Sequence, residues 1–195
     1  MPTLLFGILL FQAPSVLGVD VFTDSLRGSL LVLLFIGTFA APALLIYYLF
    51  RSGYVQSLYL TTLADRRLPY FLTAIVYTGV TLLFGFRMQA ISTLAPDIAV
   101  LLGSITLSIL LVAVISLYWQ ISAHGVGIGG VVGAIGAIVA RFGVIELFPT
   151  LAVLVLLTGF VLSARLHLNA HTLAQALGGL ALGTLVSIAT VWWLL

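Results

Sequence analysis

The chain has 195 residues, of which 63% are hydrophobic and only 6% are charged. Its mean hydropathy of +1.32 excludes a water-soluble globular domain, because no such fold could bury that much apolar surface. The net charge of +2 comes from arginines that form no run longer than an adjacent pair, so the sequence predicts no nucleic-acid partner. Cysteine is absent, which excludes disulfides, thiolate metal sites and cysteine nucleophiles.

Seven apolar runs separate the few charged residues. A membrane helix needs roughly 20 apolar residues to cross a hydrocarbon core about 30 Å thick. The runs therefore predict an all-α, polytopic integral membrane bundle of six or seven transmembrane helices, forming a single membrane domain over residues 1–195. They cover residues 2–19, 28–50, 69–86, 98–118, 125–140, 147–162 and 172–195.

The first and fifth runs are the least regular. The first is interrupted by Gln12, Pro14 and Ser15, and it lacks the basic start of a signal peptide, so we expect it to be retained as a membrane helix. The fifth run carries glycines three to four residues apart, which lets a neighbouring backbone approach closely in lipid. It predicts a central, tightly packed helix.

Polar residues collect in three connections of this bundle. If each run crosses the membrane once, the connections after the second, fourth and sixth runs lie on the same side. They contain Asp65, Arg66 and Arg67, then Ser122 and His124, then Ser163, Arg165, His167, Asn169 and His171. Ionisable groups close to lipid are costly unless they pair or serve a function, so we expect a site at this membrane face.

The residue types of this cluster suit a phosphate group. Arginine forks bind phosphate oxygens through two hydrogen bonds. Gly125 and the amides that follow it open the fifth run, where helix N–H groups and the helix dipole attract an anion. One histidine can attack phosphorus while a second protonates the leaving oxygen. This chemistry requires no metal and no other cofactor.

Three segments resemble the motifs of the type-2 phosphatidic acid phosphatase superfamily, the lipid phosphate phosphatases that are related in fold to vanadium haloperoxidases. Residues 66–69, Arg-Arg-Leu-Pro, are similar to a first motif that ends in Arg-Pro. Residues 121–124, Ile-Ser-Ala-His, stand in the place of Pro-Ser-Gly-His. Residues 163–175 resemble a third motif of Ser-Arg, five residues, His, three residues and Asp. The resemblance spans roughly residues 65–183.

The resemblance implies a metal-independent hydrolase that removes phosphate from a membrane lipid, either phosphatidic-acid-like or a prenyl diphosphate. His171 would form a phosphohistidine, His124 would protonate the leaving alcohol, and Gln175 stands where the family has an aspartate that orients the nucleophile. The phosphate-binding residues implied in the same way are Arg66 or Arg67, Ser122, the Gly125 amide and Arg165.

The sequence departs from the family's motifs where Leu68 separates Arg67 from Pro69 and Ala164 separates Ser163 from Arg165. Two further departures remove a charged group. The lysine that opens the first motif has no counterpart around Tyr59 and Leu60, and Gln175 supplies no negative charge. These departures keep a second class of function open, a catalytically silent protein that binds or transports lipids through the same anion pocket.

A third class of function is a histidine-based metalloprotein. His167 and His171 are four residues apart, which would place them on one helical face, and with His124 they could form a three-histidine metal site. Asp65 is the one carboxylate near enough in the sequence pattern to be a fourth ligand, and the neighbouring arginines would repel a cation. The phosphate interpretation is therefore preferred.

The remaining charges set the expected orientation. Arg87, Asp97, Arg141 and Glu146 lie on the side opposite the polar cluster, and we interpret them as interfacial residues. With the arginines of the cluster set aside, that side also holds Arg27, whereas Arg51 lies on the other. The excess of arginine on the side opposite the polar cluster predicts that this side is cytoplasmic. The protein is then expected in the cell membrane, with its site facing outward.

Overall fold

The structure, a computed structural model, describes residues 1–58 and 62–195. Within those ranges every regular element is helical. The helices in chain order are α1 (Pro2–Gln12), α2 (Asp24–Arg51), α3 (Leu63–Arg87), α4 (Gln89–Leu94), α5 (Pro96–Ile115), α6 (Ala123–Phe142), α7 (Ile145–His167) and α8 (Leu173–Leu194).

Among the described residues, six helices are long and apolar enough to cross a membrane, and the two that are not are α1 and α4. The prediction of an all-α polytopic bundle is confirmed, with six spans rather than seven. The first run does not form a span because Pro14 opens a separate 3₁₀ turn and Gly18, at φ 66°, redirects the chain. The 11 residues of α1 rise about 16 Å, roughly half the hydrocarbon core.

The short helix α1 packs inside the bundle. Phe6, Leu9 and Leu10 are fully buried in the main apolar core, which α1 shares with α5 and α6. Its end is fixed near the start of α7, where the Thr150 hydroxyl donates to Gln12 Oε1 at 2.6 Å. The N-terminal segment therefore runs from Met1, which borders a cavity next to His124, to Gln12 at the end of the bundle distant from the polar cluster.

A proline in the middle of α2 explains a polar contact between α2 and α3. Pro42 has no N–H, so it leaves the carbonyl of Thr38, four residues earlier, without its helical donor. The hydroxyl of Tyr77 on α3 donates to that carbonyl at 2.6 Å. Because lipid offers no hydrogen bonds, this contact satisfies the carbonyl and joins the two helices.

Glycines bring the backbones of α6 and α8 into contact. A Cβ atom added to Gly125 would lie 2.8 Å from the carbonyl oxygen of Ala176, and one added to Gly133 would lie 2.7 Å from that of Thr184. On the facing helix, Gly179 and Gly183 approach the α6 backbone even more closely. The predicted close packing of the glycine-rich run is confirmed, and its partner is the last helix.

Arginines at the end of the bundle away from the polar cluster bind backbone carbonyls. Arg141 donates to the carbonyl oxygens of Val191 and Trp192, which end α8 without helical donors. Arg27 donates through Nε to the carbonyl of Val19 at 3.1 Å. The interfacial interpretation of Arg141 fits this arrangement, since its charge supports a helix C-terminus.

Candidate functional site

The polar cluster lies where the start of α3, the α5–α6 connection and the α7–α8 connection meet. The start of α3 is capped by Thr62, whose hydroxyl accepts the Asp65 N–H at 3.2 Å and donates to Asp65 Oδ2 at 2.8 Å. The other carboxylate oxygen of Asp65 accepts the Gln56 N–H at 3.2 Å. Asp65 thus holds the chain entering α3. Tyr59 and Leu60, where the sequence offers no lysine, lie outside the described residues.

The paired arginines on α3 occupy different surroundings. Arg66 is 4% exposed and donates to the carbonyl of Ile121 at 3.4 Å, and its charge acts on His171. Arg67 is exposed and donates to the carbonyl of Leu117 at 3.1 Å. Of the two candidate phosphate ligands, Arg66 is therefore the one beside the histidine.

The start of α6 uses two of the predicted phosphate ligands for its own cap. Ser122 is fully buried, and its Oγ accepts the Gly125 N–H at 3.2 Å. The Ser122 N–H donates to the Gln175 carbonyl, which joins this cap to α8. Within the described residues the N–H groups of Ala123 and His124 have no partner, so they are the amides of the first turn that remain for an anion.

The connection between α7 and α8 is a tight turn. The Ala170 N–H donates to the Arg165 carbonyl at 3.1 Å, and the Asn169 N–H donates to the Leu166 carbonyl at 2.9 Å. Asn169, at φ 50°, adopts the left-handed conformation that this type of helix end requires. The turn directs the chain back, so that His171 lies over the start of α8.

The hydrogen bonds of His171 fix its tautomer. Its Nδ1 lies 3.2 Å from the carbonyl oxygen of Gln120 and 3.3 Å from Oε1 of Gln175. Gln175 Oε1 also accepts the Thr172 N–H at 3.0 Å as part of a capping box, which identifies this atom as the amide oxygen. Both neighbours of Nδ1 are acceptors, so we assign the proton to Nδ1. The lone pair is then on Nε2.

The surroundings of His171 favour its neutral form. The residue is 8% exposed, and burial lowers the pKa of its imidazole, assisted by the positive charge of Arg66 and, more weakly, that of Arg165. The hydrogen bonds to Gln175 and Gln120 act in the opposite direction. The net effect lowers the pKa, so His171 is neutral at physiological pH.

Arg165, near the end of α7, faces the same cluster. Its charge acts on His124 and His171. Its Nε is buried and has no hydrogen-bond partner in the part of the chain that the structure describes. A buried guanidinium N–H without an acceptor is costly, so this donor fits a ligand that brings its own oxygen atoms.

His124 lies in the first turn of α6. Its side chain is exposed, and its charge interacts with those of Arg165 and His171. It also borders a cavity of about 380 Å³ that continues between the helices. His124 therefore faces both the cluster and the interior of the bundle.

Tyr70 is a member of the site that the sequence did not predict. It is one turn along α3 from Arg66, and the charges of Arg66 and Arg165 both act on its phenol group. The four-residue spacing from Arg66 was the available signal, because residues four apart share a helical face.

The described residues do not have the arrangement that a three-histidine metal site requires. Helix α7 ends at His167, and the turn through Asn169 separates His167 from His171, so the two do not share a helical face. His167 is exposed, and Asp65 is engaged in the cap of α3. Across residues 1–58 and 62–195, no group of three histidine, cysteine or acidic residues could hold a metal ion.

Comparison with protein-family models, curated proteins and solved structures found no match to the chain. The contacts described above are therefore the basis for a functional proposal.

Proposed function

We propose that this membrane protein is a metal-independent lipid phosphate phosphatase that acts through a phosphohistidine. The observation that carries the proposal is His171, whose Nδ1 is held by two oxygen acceptors while Arg66 and the unpartnered Nε of Arg165 lie beside it. An imidazole lone pair in the positive field of two arginines suits attack on an anionic phosphorus centre.

In the first step, Nε2 of His171 attacks phosphorus and the bond from phosphorus to the lipid oxygen breaks. The leaving oxygen takes a proton from the imidazolium of His124, and the lipid alcohol departs. Charge on the transferring phosphoryl group is stabilised by Arg66, Arg165 and the first-turn amides of α6.

In the second step, water attacks the phosphohistidine and gives its proton to the now neutral His124. The bond between nitrogen and phosphorus breaks, which releases phosphate and restores His171. The Nδ1 hydrogen bonds to Gln120 and Gln175 keep the ring oriented through both steps. Because Gln175 is neutral, it stabilises the positively charged intermediate less than a carboxylate would.

The substrate enters from the membrane in this proposal. The site lies at one end of a bundle whose described residues include six apolar spans, so the hydrocarbon part of a lipid can stay in the bilayer while its headgroup reaches the arginines. Phosphatidic-acid-like lipids and prenyl diphosphates both fit this requirement.

The test is phosphate release in EDTA from phosphatidic acid, farnesyl diphosphate and dodecyl phosphate, with His171→Ala and His124→Ala variants. We expect both variants to lose about 10³-fold or more of the activity. His167→Ala is the matched control, because it removes an exposed histidine from the same turn and should leave the rate unchanged.

Three other outcomes would change the proposed mechanism or the proposed function. Full activity in His171→Ala would overturn the phosphohistidine mechanism, and loss of wild-type activity in EDTA would favour a metal-dependent reaction. Lipid binding without any release of phosphate would replace the proposal with the silent lipid-binding function.

We also propose that the site faces outward from the cell membrane, because the arginines outside the site are concentrated at the opposite end. The chain lacks cysteine, so single-cysteine variants report orientation without background. A membrane-impermeant maleimide added to whole cells should label Ser52→Cys and spare Glu146→Cys, both of which replace exposed residues. The reverse pattern would place the site in the cytoplasm.

A further inference from the structure

The cavity next to His124 extends along α6 from the site towards the centre of the bilayer. It is bordered at one end by Ala123 and His124 and reaches Ala134. At 1.5 Å per residue, the helix rises about 15 Å between His124 and Ala134, which is half the thickness of the hydrocarbon core. The cavity therefore connects the site with the depth at which lipid chains lie.

Small side chains on two helices create this space. Ser104 and Ser108, four residues apart on α5, line it together with Gly127 and Gly130 on α6. Most of the remaining lining is aliphatic or aromatic. In the described part of the chain, the residues with a charged group that border the cavity are His124 and Met1, whose N-terminal ammonium acts on His124. The lining is mainly apolar and its charged groups are those of His124 and Met1, so the cavity suits a hydrocarbon whose anionic end lies beside His124.

The size of the cavity limits what enters it. Its 380 Å³ lies near the lower end of the roughly 300–1,000 Å³ typical of small-molecule pockets. A chain that moves from the bilayer into this space gains little hydrophobic free energy, because lipid is as apolar as the lining. Recognition then depends on volume, and about 380 Å³ leaves little room for a second hydrocarbon chain.

We propose that this cavity holds the single hydrocarbon chain of the substrate and selects single-chain lipid phosphates over those with two chains. This inference rests on the proposed function for the position of the phosphate group. It assigns the cavity a role in specificity, with Ala134 at the end distant from the phosphate.

The test uses alkyl phosphonates, whose carbon–phosphorus bond prevents hydrolysis, so that binding is measured whether or not the protein turns over lipids. Dodecyl phosphonate and hexyl phosphonate are titrated into the protein in nanodiscs, and binding is measured by native mass spectrometry. A phosphonate carrying two dodecyl chains is compared with them and should bind at least about tenfold more weakly than the single-chain dodecyl compound.

Ala134→Leu shortens the cavity and should weaken binding of dodecyl phosphonate at least about tenfold, as expected when an added side chain overpacks a filled pocket. Hexyl phosphonate, whose chain ends closer to His124, should bind unchanged. Ala152→Leu makes the same chemical change on the exposed face of α7 and is the matched control. Ser104→Leu is a second cavity variant, for use if Ala134→Leu does not fold.

Equal binding of one-chain and two-chain phosphonates, or dodecyl binding that is unchanged in both cavity variants, would overturn the inference. If phosphate release from lipids is found while these binding results are negative, the phosphatase proposal stands and the cavity proposal fails. If no phosphate is released but the variants lose dodecyl binding as expected, the cavity proposal stands and the enzymatic one fails.

Discussion

Arginines lie at both ends of this bundle, and their surroundings differ. At the end away from the site, Arg141 donates to the last carbonyls of α8 and Arg27 to the carbonyl of Val19. At the site end, Arg165 has a buried Nε with no partner among the described residues, next to His124 and His171. Hydropathy alone cannot distinguish an arginine whose guanidinium completes a helix end from one that has a buried donor without an acceptor among the described residues. The difference lies in which acceptors each guanidinium reaches.

Removing an arginine from each end of the bundle should have opposite effects on rate and stability. Arg165→Gln should lower phosphate release about 10²- to 10³-fold, as loss of one transition-state donor does, while the melting temperature in nanodiscs changes little. Arg141→Gln should leave the rate unchanged and cost about 1–2 kcal/mol of stability, because two carbonyls lose their donor. If both variants lost only stability, the distinction between the two ends would be wrong.

The second expected effect is a gain of activity. Gln175→Glu keeps the length needed for the capping box with Thr172 and adds a negative charge next to His171. The charge should stabilise the positively charged intermediate, and we expect the rate of phosphate release to rise about tenfold, equivalent to one unit of pKa. The shorter Gln175→Asp side chain provides the control, because it adds charge but reaches less far. A lower rate in Gln175→Glu would show that the neutral amide is required.

The pH dependence of phosphate release tests whether the charge of Arg66 lowers the pKa of His171. Burial and the charge of Arg66 lower the pKa of His171 below its ordinary value of 6.5, and the nucleophile must be neutral. Activity should therefore persist below pH 6.5 and fall once the pH passes below the lowered pKa. Arg66→Gln removes a positive charge, raises the pKa of His171 and should move the acidic limb of kcat/KM to higher pH. An unmoved limb would indicate that another group controls it.

The smallest expected effect concerns the turn that positions His171. Asn169 adopts a left-handed conformation that alanine disfavours, so Asn169→Ala should cost about 1 kcal/mol of stability. Asn169→Gly should be close to neutral, since glycine adopts this conformation readily. Thermal unfolding in detergent compares the two variants. Equal stability of both would contradict the assigned role of this residue.

Much of the fold could be predicted from the sequence because membrane helices are defined by length and apolarity alone. Six of the seven runs correspond to spans, and the exception, 2–19, is broken by Pro14 and Gly18. The short helix α4 was not predicted, since its six residues give too little periodicity.

The site was predicted in outline but not in its contacts. Counting crossings was enough to place Arg165 and His171 on the same side of the membrane as His124. The sequence could not reveal that Ser122 uses the Gly125 amide for its own cap, because that depends on where α6 begins. Nor could it separate His167 from His171, because the helix end between them is set by the backbone conformation of Asn169.

The glycine contacts between α6 and α8 have a consequence for the spacing of the two histidines. His124 is in the first turn of α6 and His171 precedes the first turn of α8, so each moves with its helix. Gly133 packs against Thr184 about two and a half turns from His124, with too little room for one added carbon. The distance between His124 and His171 therefore depends on contacts along the whole length of α6 and α8. A methyl group added at Gly133 would change that distance without changing any residue of the polar cluster.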